Sequence, residues 1–311
     1  MQPLFLTVGM GSLDEYPSFV SAGADEVFCG FVPESWQQRF SCLAPLNRRE
    51  VHYANCQLGS ESEMKILHRM MMRYQVPVTL TFNALNYAPD QLPMVTELMQ
   101  RAIHLGFDRF ILADMGLIMH LSSIRRADPA FQHLHLHISG ELGPLTPPLI
   151  ELLRSLGAER IIFPRKTSFE DMALLIRRDR ELHPSSPLEW EMFLFNENCA
   201  FSGCFCNALH CDALPYACRL PGAVPPAIHT KADPDLPGST GCGLCALPRA
   251  AKLGITHYKL VSRGALPENT LRDIAFCRLA LNRTGQENMT PDELKNGMFP
   301  NGCSGACYYE P

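Results

Sequence analysis

The stretch ERIIFPRKTSFEDMALLIRRDREL, residues 159–182, reads as one strand joined to one helix. Its first part, RIIFPRK (160–166), is a short apolar run rich in β-branched and aromatic residues, closed by a proline and two cations. From Ser168 the period changes to 3.6, and apolar residues recur three and four positions apart. Ser168, with Asp171 three positions on, resembles a capping box at the start of that helix.

The same unit recurs along the chain. Strand-like runs stand at LFLTVG (4–9), EVFCG (26–30), VTLTFN (78–83), RFILADMG (109–116) and HLHLHIS (133–139). RIIFPRK, EWEMFLFN (189–196) and HYKLVSRG (257–264) bring the number to eight. Helix-like segments lie between most of them, at 12–24, 62–75, 92–106, 146–158 and 168–182. Ser12 with Glu15 resembles a second capping box, and Gly23, Gly106 and Gly157 stand where helices end. Eight strands alternating with helices in 311 residues predict an α/β protein, a (β/α)8 TIM-like barrel. The alternative is an open doubly wound sheet. That fold usually carries a Gly-rich phosphate turn after its first strand, and VGMGSLDE (8–15) matches it only in part.

The regular alternation breaks once. Residues 197–256 have little helical periodicity, hold a Pro-rich run, and offer only ALPRAAKLG (246–254) as a short helix. The expected organisation is therefore a barrel over 1–264 that includes a Cys-rich insertion at 197–256, between its seventh and eighth strands. A C-terminal helix and a cysteine-bearing tail, 265–311, should pack on it. A long irregular loop in a compact domain is usually functional. In a barrel, loops that follow strands form the face where active sites sit.

Thirteen cysteines and no secretion signal point to metal ligands rather than a disulfide scaffold. Seven of the thirteen fall in the insertion: Cys199, Cys204, Cys206, Cys211, Cys218, Cys242 and Cys245. Only Cys242 and Cys245 have the C-x2-C spacing of a zinc knuckle, with no second such pair at ribbon distance. Long, irregular spacings suit a bulky iron–sulfur cluster, whose irons accept thiolates from separate loops. Zinc is the alternative, then disulfides or free thiols. Cys277 reads as a core residue on an amphipathic helix. Cys303 and Cys307 form a C-x3-C pair that two thiols alone cannot turn into a cluster site.

Strand ends give the remaining candidates. Asn83, Asp114, His137, Ser139, Glu141, Arg165, Lys166, Asn196 and Arg263 all stand at or just beyond a strand's C-terminal end. Together they predict a polar ring with several cations, a setting for an anionic substrate or cofactor. From this ring Asp114, His137, Arg165 and Arg263 are the candidate catalytic residues, with His137 the proton-transfer candidate. A structural network, in which the arginines pair with Asp114 or Glu141, is the competing reading. His133, His135 and His137 alternate along one strand and share one face.

The net charge of −5 gives no basic footprint for nucleic acid. No apolar run has the length of a membrane span. The N-terminus has no signal-peptide pattern, which makes the cytoplasm the expected compartment.

Several of these stretches resemble peptidase family U32, the collagenase-like peptidases. SAGADEVFCG (21–30) is similar to the family's second-strand motif, ILADMGLI (111–118) to its ADPGLI, and ERIIFPRKTSFEDM (159–172) to its strand–helix signature. NRREVHYANCQLGSESEMKILH (47–68) resembles its Asn- and Arg-containing loop, and KLVSRG (259–264) its KIEGR. In the short, single-domain members the resemblance implies four thiolates around a [4Fe-4S] cluster. By position these are Cys199, Cys206, Cys218 and Cys245, although Cys204 could replace Cys206 and Cys242 could replace Cys245.

The resemblance further implies an oxygen-independent hydroxylase component, an oxidoreductase acting on a small aromatic or quinone-precursor substrate. Such members can work with a heteromeric partner of the same family. The alternatives are a peptidase, for which neither HExxH nor GxSxG is present, and a non-catalytic iron–sulfur or electron-transfer subunit of a heteromeric complex.

Overall fold

The computed structural model describes residues 2–40, 44–50, 56–143, 145–197, 199, 204, 206, 210–211, 236–286 and 289–309. In chain order the first half runs β1 (Phe5–Gly9), α1 (Glu15–Ala22), β2 (Glu26–Phe31), α2 (Glu34–Phe40), β3 (Arg49–Glu50), β4 (Gln57–Leu58), α3 (Glu61–Tyr74), β5 (Val78–Phe82), α4 (Leu92–His104), β6 (Arg109–Leu112) and α5 (Met115–Ile124). The second half runs β7 (His135–Ile138), α6 (Pro147–Ser155), β8 (Ala158–Ile162), α7 (Phe169–Leu182), β9 (Glu189–Phe195), β10 (His210–Cys211), α8 (Leu247–Leu253), β11 (His257–Leu260), α9 (Pro267–Gln286) and α10 (Pro291–Met298).

Eight of these strands close into a barrel. Neighbours run β1, β2, β5, β6, β7, β8, β9 and β11, all parallel, and β11 returns to β1 with Phe5 opposite His257. These are the eight runs the sequence singles out, so the (β/α)8 architecture stands. Two short pairings lie outside the ring. β4 pairs in parallel beside the end of β2, and β10 pairs with β3, tying the Cys-rich insertion to the segment after α2.

Local chemistry sets the boundaries. Ser168 accepts from the Asp171 amide at 3.1 Å, as expected for an N-cap. Gly23 ends α1 at φ 115°, in the left-handed region a Cβ disfavours. The expected Ser12–Glu15 box is only half formed. Glu15 accepts from the Gly11 and Ser12 amides at 2.7 and 3.3 Å, but the Ser12 hydroxyl turns to Asp14 at 2.6 Å. The fourth barrel strand stops at Leu112 rather than running to Gly116. There Asp114 caps α5, its Oδ1 accepting from the Leu117 amide at 2.6 Å. Helices α2, α5 and α10 are additions to the sequence reading.

The N-terminal half of the barrel interior is charged and sealed. Arg160 lies 2.9 Å from Glu26 and 3.1 Å from Glu191, and Lys259 lies 2.9 Å from Glu191. All four are buried. Each cation faces a buried carboxylate, Arg160 also reaches the half-exposed Glu189 at 2.9 Å, and Thr79 donates to Glu26 at 2.7 Å. Buried charges persist only when paired and hydrogen-bonded in this way. This layer forms the floor beneath the mouth.

Candidate functional site

Above that floor the C-terminal ends of the strands enclose a cavity of about 70 Å³. Arg165, Arg263, Asn83, Ser139 and Glu141 of the expected ring line it, together with Cys199. Its walls also carry Phe28 and Phe193, and it is lined by Arg48, Arg49, Glu197 and Lys259. In the sequence Arg48 and Arg49 stand in a loop segment, NRREVH (47–52), rather than at a strand end. The doublet after the second strand was the signal, and β3 is what brings it to the mouth.

Cations outnumber carboxylates here. Glu141 is shared by Arg48 at 3.2 Å and Arg165 at 3.4 Å. Arg49 pairs with Glu197. The Arg263 guanidinium donates to Thr81 at 3.3 Å. Arg165 stacks on the Phe193 ring at 3.7 Å, and Lys259 lies 3.7 Å from the Phe28 ring centre. The Nε atoms of Arg165 and Arg49 are buried with no hydrogen-bond partner. Burial opposes the Arg165 charge, yet Cys199, Tyr308 and Glu141 around it more than offset that, and its pKa is raised. Lys259 goes the other way: burial lowers its pKa despite the pull of Glu191.

Asp114 and His137 are placed elsewhere. Asp114 caps α5 and also accepts from the Tyr87 amide at 3.2 Å. His137 is 2% exposed, 3.9 Å from Glu26 in the charged floor. Burial first, then the cations Arg160 and Arg109, hold it well below the ordinary histidine range, so it stays neutral. His135 sits at the opposite rim, 2.6 Å from Glu159. Asn196 closes β9 at φ 69° and donates to Asp273 at 2.9 Å. Glu197 is also left-handed, at φ 57°, and the two together turn the chain toward Cys199.

Among the described insertion cysteines, Cys199 and Cys245 line different cavities. Cys199 lines the mouth. The Cys206 carbonyl accepts from Arg48 at 3.1 Å, and Cys204 packs against Gly143, where its sulfur takes the space a Cβ would need. Cys245 lines a second cavity, of about 120 Å³, with Cys242, Cys303 and Cys307. Cys218 lies outside the described residues, as do Cys42 and most of the Pro-rich run.

The tail builds that second cavity. Cys242 pairs with Phe195 on one side and Cys307 on the other. Its amide donates to the Ala306 carbonyl at 2.8 Å, and its carbonyl accepts from the Tyr308 amide at 2.9 Å. Gly243 lets this happen, because a Cβ there would meet the Phe193 carbonyl at 2.8 Å. Burial pushes the Cys242 thiol up to about 12. Burial and the facing thiols also raise Cys245 and Cys307, with Lys295 pulling both the other way.

A single four-thiolate site made of Cys199, Cys206, Cys218 and Cys245 would have to draw on both cavities. Among the described residues, no three His, Cys, Asp or Glu side chains are grouped so as to hold one metal ion.

Fold and mouth together define a (β/α)8-barrel protein with a cation-rich, aromatic-walled mouth and a thiol-bearing insertion beside it. The profile of peptidase family U32 matches residues 11–214, and the chain belongs to that family. No curated protein matches the sequence. Among solved structures the chain is similar to the U32 peptidase Mk0906, at 15% identity over 63% of this chain and 70% of that one, with a TM-score of 0.44. It is also similar to ribulose-1,5-bisphosphate carboxylase/oxygenase from Pyrococcus horikoshii, at 10% identity over 96% of this chain and 63% of that one, TM-score 0.52. A rubisco-like protein from Alicyclobacillus acidocaldarius gives 11% identity over 96% and 66%, TM-score 0.52. The chain spans just under two thirds of each of the last two, and such likenesses speak for the barrel alone. No helix among the described residues is long and apolar enough to cross a membrane.

Proposed function

We propose that the mouth binds a small aromatic carboxylate, and that the chain is an iron–sulfur member of its family supporting oxygen-independent hydroxylation of such an aromatic or quinone-precursor substrate. The observation that carries the ligand class is Arg165. Its guanidinium is buried, lies on Phe193, and keeps an Nε–H without a partner inside a cavity walled by two phenyl rings. A benzoate-like molecule answers both halves of that site, its ring between Phe28 and Phe193 and its carboxylate on the arginines.

Support for the redox half comes from the seven cysteines of the insertion, one of which lines the same mouth. An iron–sulfur group, when bound, supplies a path for electrons. The part played by this chain's own residues is to bind the anion, orient the ring and exclude water above a sealed floor.

The test is anaerobic purification of the full chain, followed by iron and sulfide analysis and by UV–visible and EPR spectra with and without benzoate. A brown, iron- and sulfide-bearing protein whose spectrum shifts with benzoate is the expected result. A colourless chain holding zinc, or hydrolysis of casein that is lost in Cys199→Ala, contradicts the reading. The latter restores the peptidase assignment.

A further inference from the structure

The C-terminal pair Cys303 and Cys307 has no role in the site described above, yet the fold carries it to Cys242 and Cys245. We infer that Cys242, Cys245, Cys303 and Cys307 form a thiolate site for an iron–sulfur cluster of their own, separate from the barrel mouth. The inference rests on the iron–sulfur reading above, and it removes Cys245 from the mouth set.

Three observations carry it. First, four thiols from two distant segments line one cavity, and all four are free cysteines. Chance burial of hydrophobic thiols does not explain the arrangement, because Cys307 is exposed and Cys245 and Cys303 are only partly buried. Second, backbone pairing fixes the convergence. Cys242 is bridged to Cys307, Ser304 donates to the Gly238 carbonyl at 3.1 Å, and the Tyr309 hydroxyl donates to Phe193 at 3.2 Å. The tail is thereby held against the C-x2-C segment on both sides of its own cysteines.

Third, the space between the two segments has room for a group larger than a single ion. The four cysteines line a cavity of about 120 Å³, several times the ~10–15 Å³ one water needs. A cluster fills such a space, since its irons stand apart and take thiolates from separate segments. Lys295 and Arg249 line the same cavity and would offset the negative charge of four thiolates around a cluster.

The test uses the full chain purified without oxygen. Iron and sulfide are counted per chain in the wild type, in Cys303→Ser/Cys307→Ser and in Cys199→Ser. Loss of one cluster's complement, about four irons and four sulfides, in the tail variant, and loss of a separate complement from the mouth in Cys199→Ser, is the expected result. A parallel alkylation of the unmutated protein, read by mass spectrometry, guards against misfolding of the variant. Cys303 and Cys307 should resist labelling until the iron is chelated, although Cys307 is exposed.

Full iron retention in the tail variant, or immediate labelling of both tail cysteines in the iron-loaded chain, overturns the inference. So does one zinc without sulfide, or a Cys303–Cys307 disulfide. If Cys199→Ser alone bleaches the protein, the inference falls while the proposed function stands. If the wild type carries no iron at all, both fall together.

Discussion

The two halves of the barrel interior use the same residue types to opposite ends. In the floor, Arg160 and Lys259 meet the buried Glu26 and Glu191, and Arg160 also reaches Glu189 at the N-terminal rim. At the mouth, Arg48 and Arg165 share Glu141, and two guanidinium Nε–H groups, those of Arg49 and Arg165, point nowhere. A buried charge that is balanced has its desolvation cost offset by its partner. One left over in a cavity waits for a ligand. Functional residues are thus found by where the charge account fails to close, not by where charges are most numerous.

The sharpest way to break the comparison is Arg160→Met. It leaves Glu26 without its cation in the sealed layer, and the expected loss is about 3–5 kcal/mol of stability, read by urea unfolding. If stability barely changes, the floor is not a balanced unit. Arg165→Met should do the reverse. Glu141 keeps Arg48 at 3.2 Å, so the unfolding midpoint should hold. Loss of a charge-assisted hydrogen bond, about 1.5–3 kcal/mol, should weaken benzoate binding by roughly 10–100-fold.

Smaller effects sharpen the contrast by lying outside both regions. Ser168→Ala removes a cap on the barrel's outer layer and should cost about 1 kcal/mol without touching benzoate affinity. A further expected effect is a pH slope. Burial lowers both His137 and His257 below 6.5, so the unfolded chain binds more protons there than the folded one. Stability should therefore fall as pH drops below about 6.5. His137→Gln should flatten that fall, as measured by Tm between pH 7 and 5, and an unchanged slope would mean the histidine titrates freely.

Much of this was legible in the sequence. The eight strand runs are set by β-rich apolar segments and by helix caps such as Ser168, and local chemistry of that kind needs no tertiary context. Arg165, Arg263, Asn83, Ser139, Glu141 and Cys199 follow from strand-end position alone. His137 and Asp114 do not, for two different reasons. A strand residue's depth in the barrel depends on the stagger of its neighbours, and His137 pairs opposite Ile111 and Arg160 rather than at the rim. Asp114 was claimed by a helix start that its apolar run concealed. The meeting of Cys242 and Cys245 with Cys303 and Cys307 spans 58 to 65 positions, and only the pairing of the tail beside β9 creates it.

Calorimetric titration of the full chain with benzoate and with benzyl alcohol, in the wild type and in Arg165→Met, tests the mouth most directly. Benzoate should bind at least tenfold more tightly than the alcohol, and Arg165→Met should erase that preference while leaving Tm in place. Equal binding of the two, no binding of either, or an unchanged preference in Arg165→Met would contradict the anionic aromatic site.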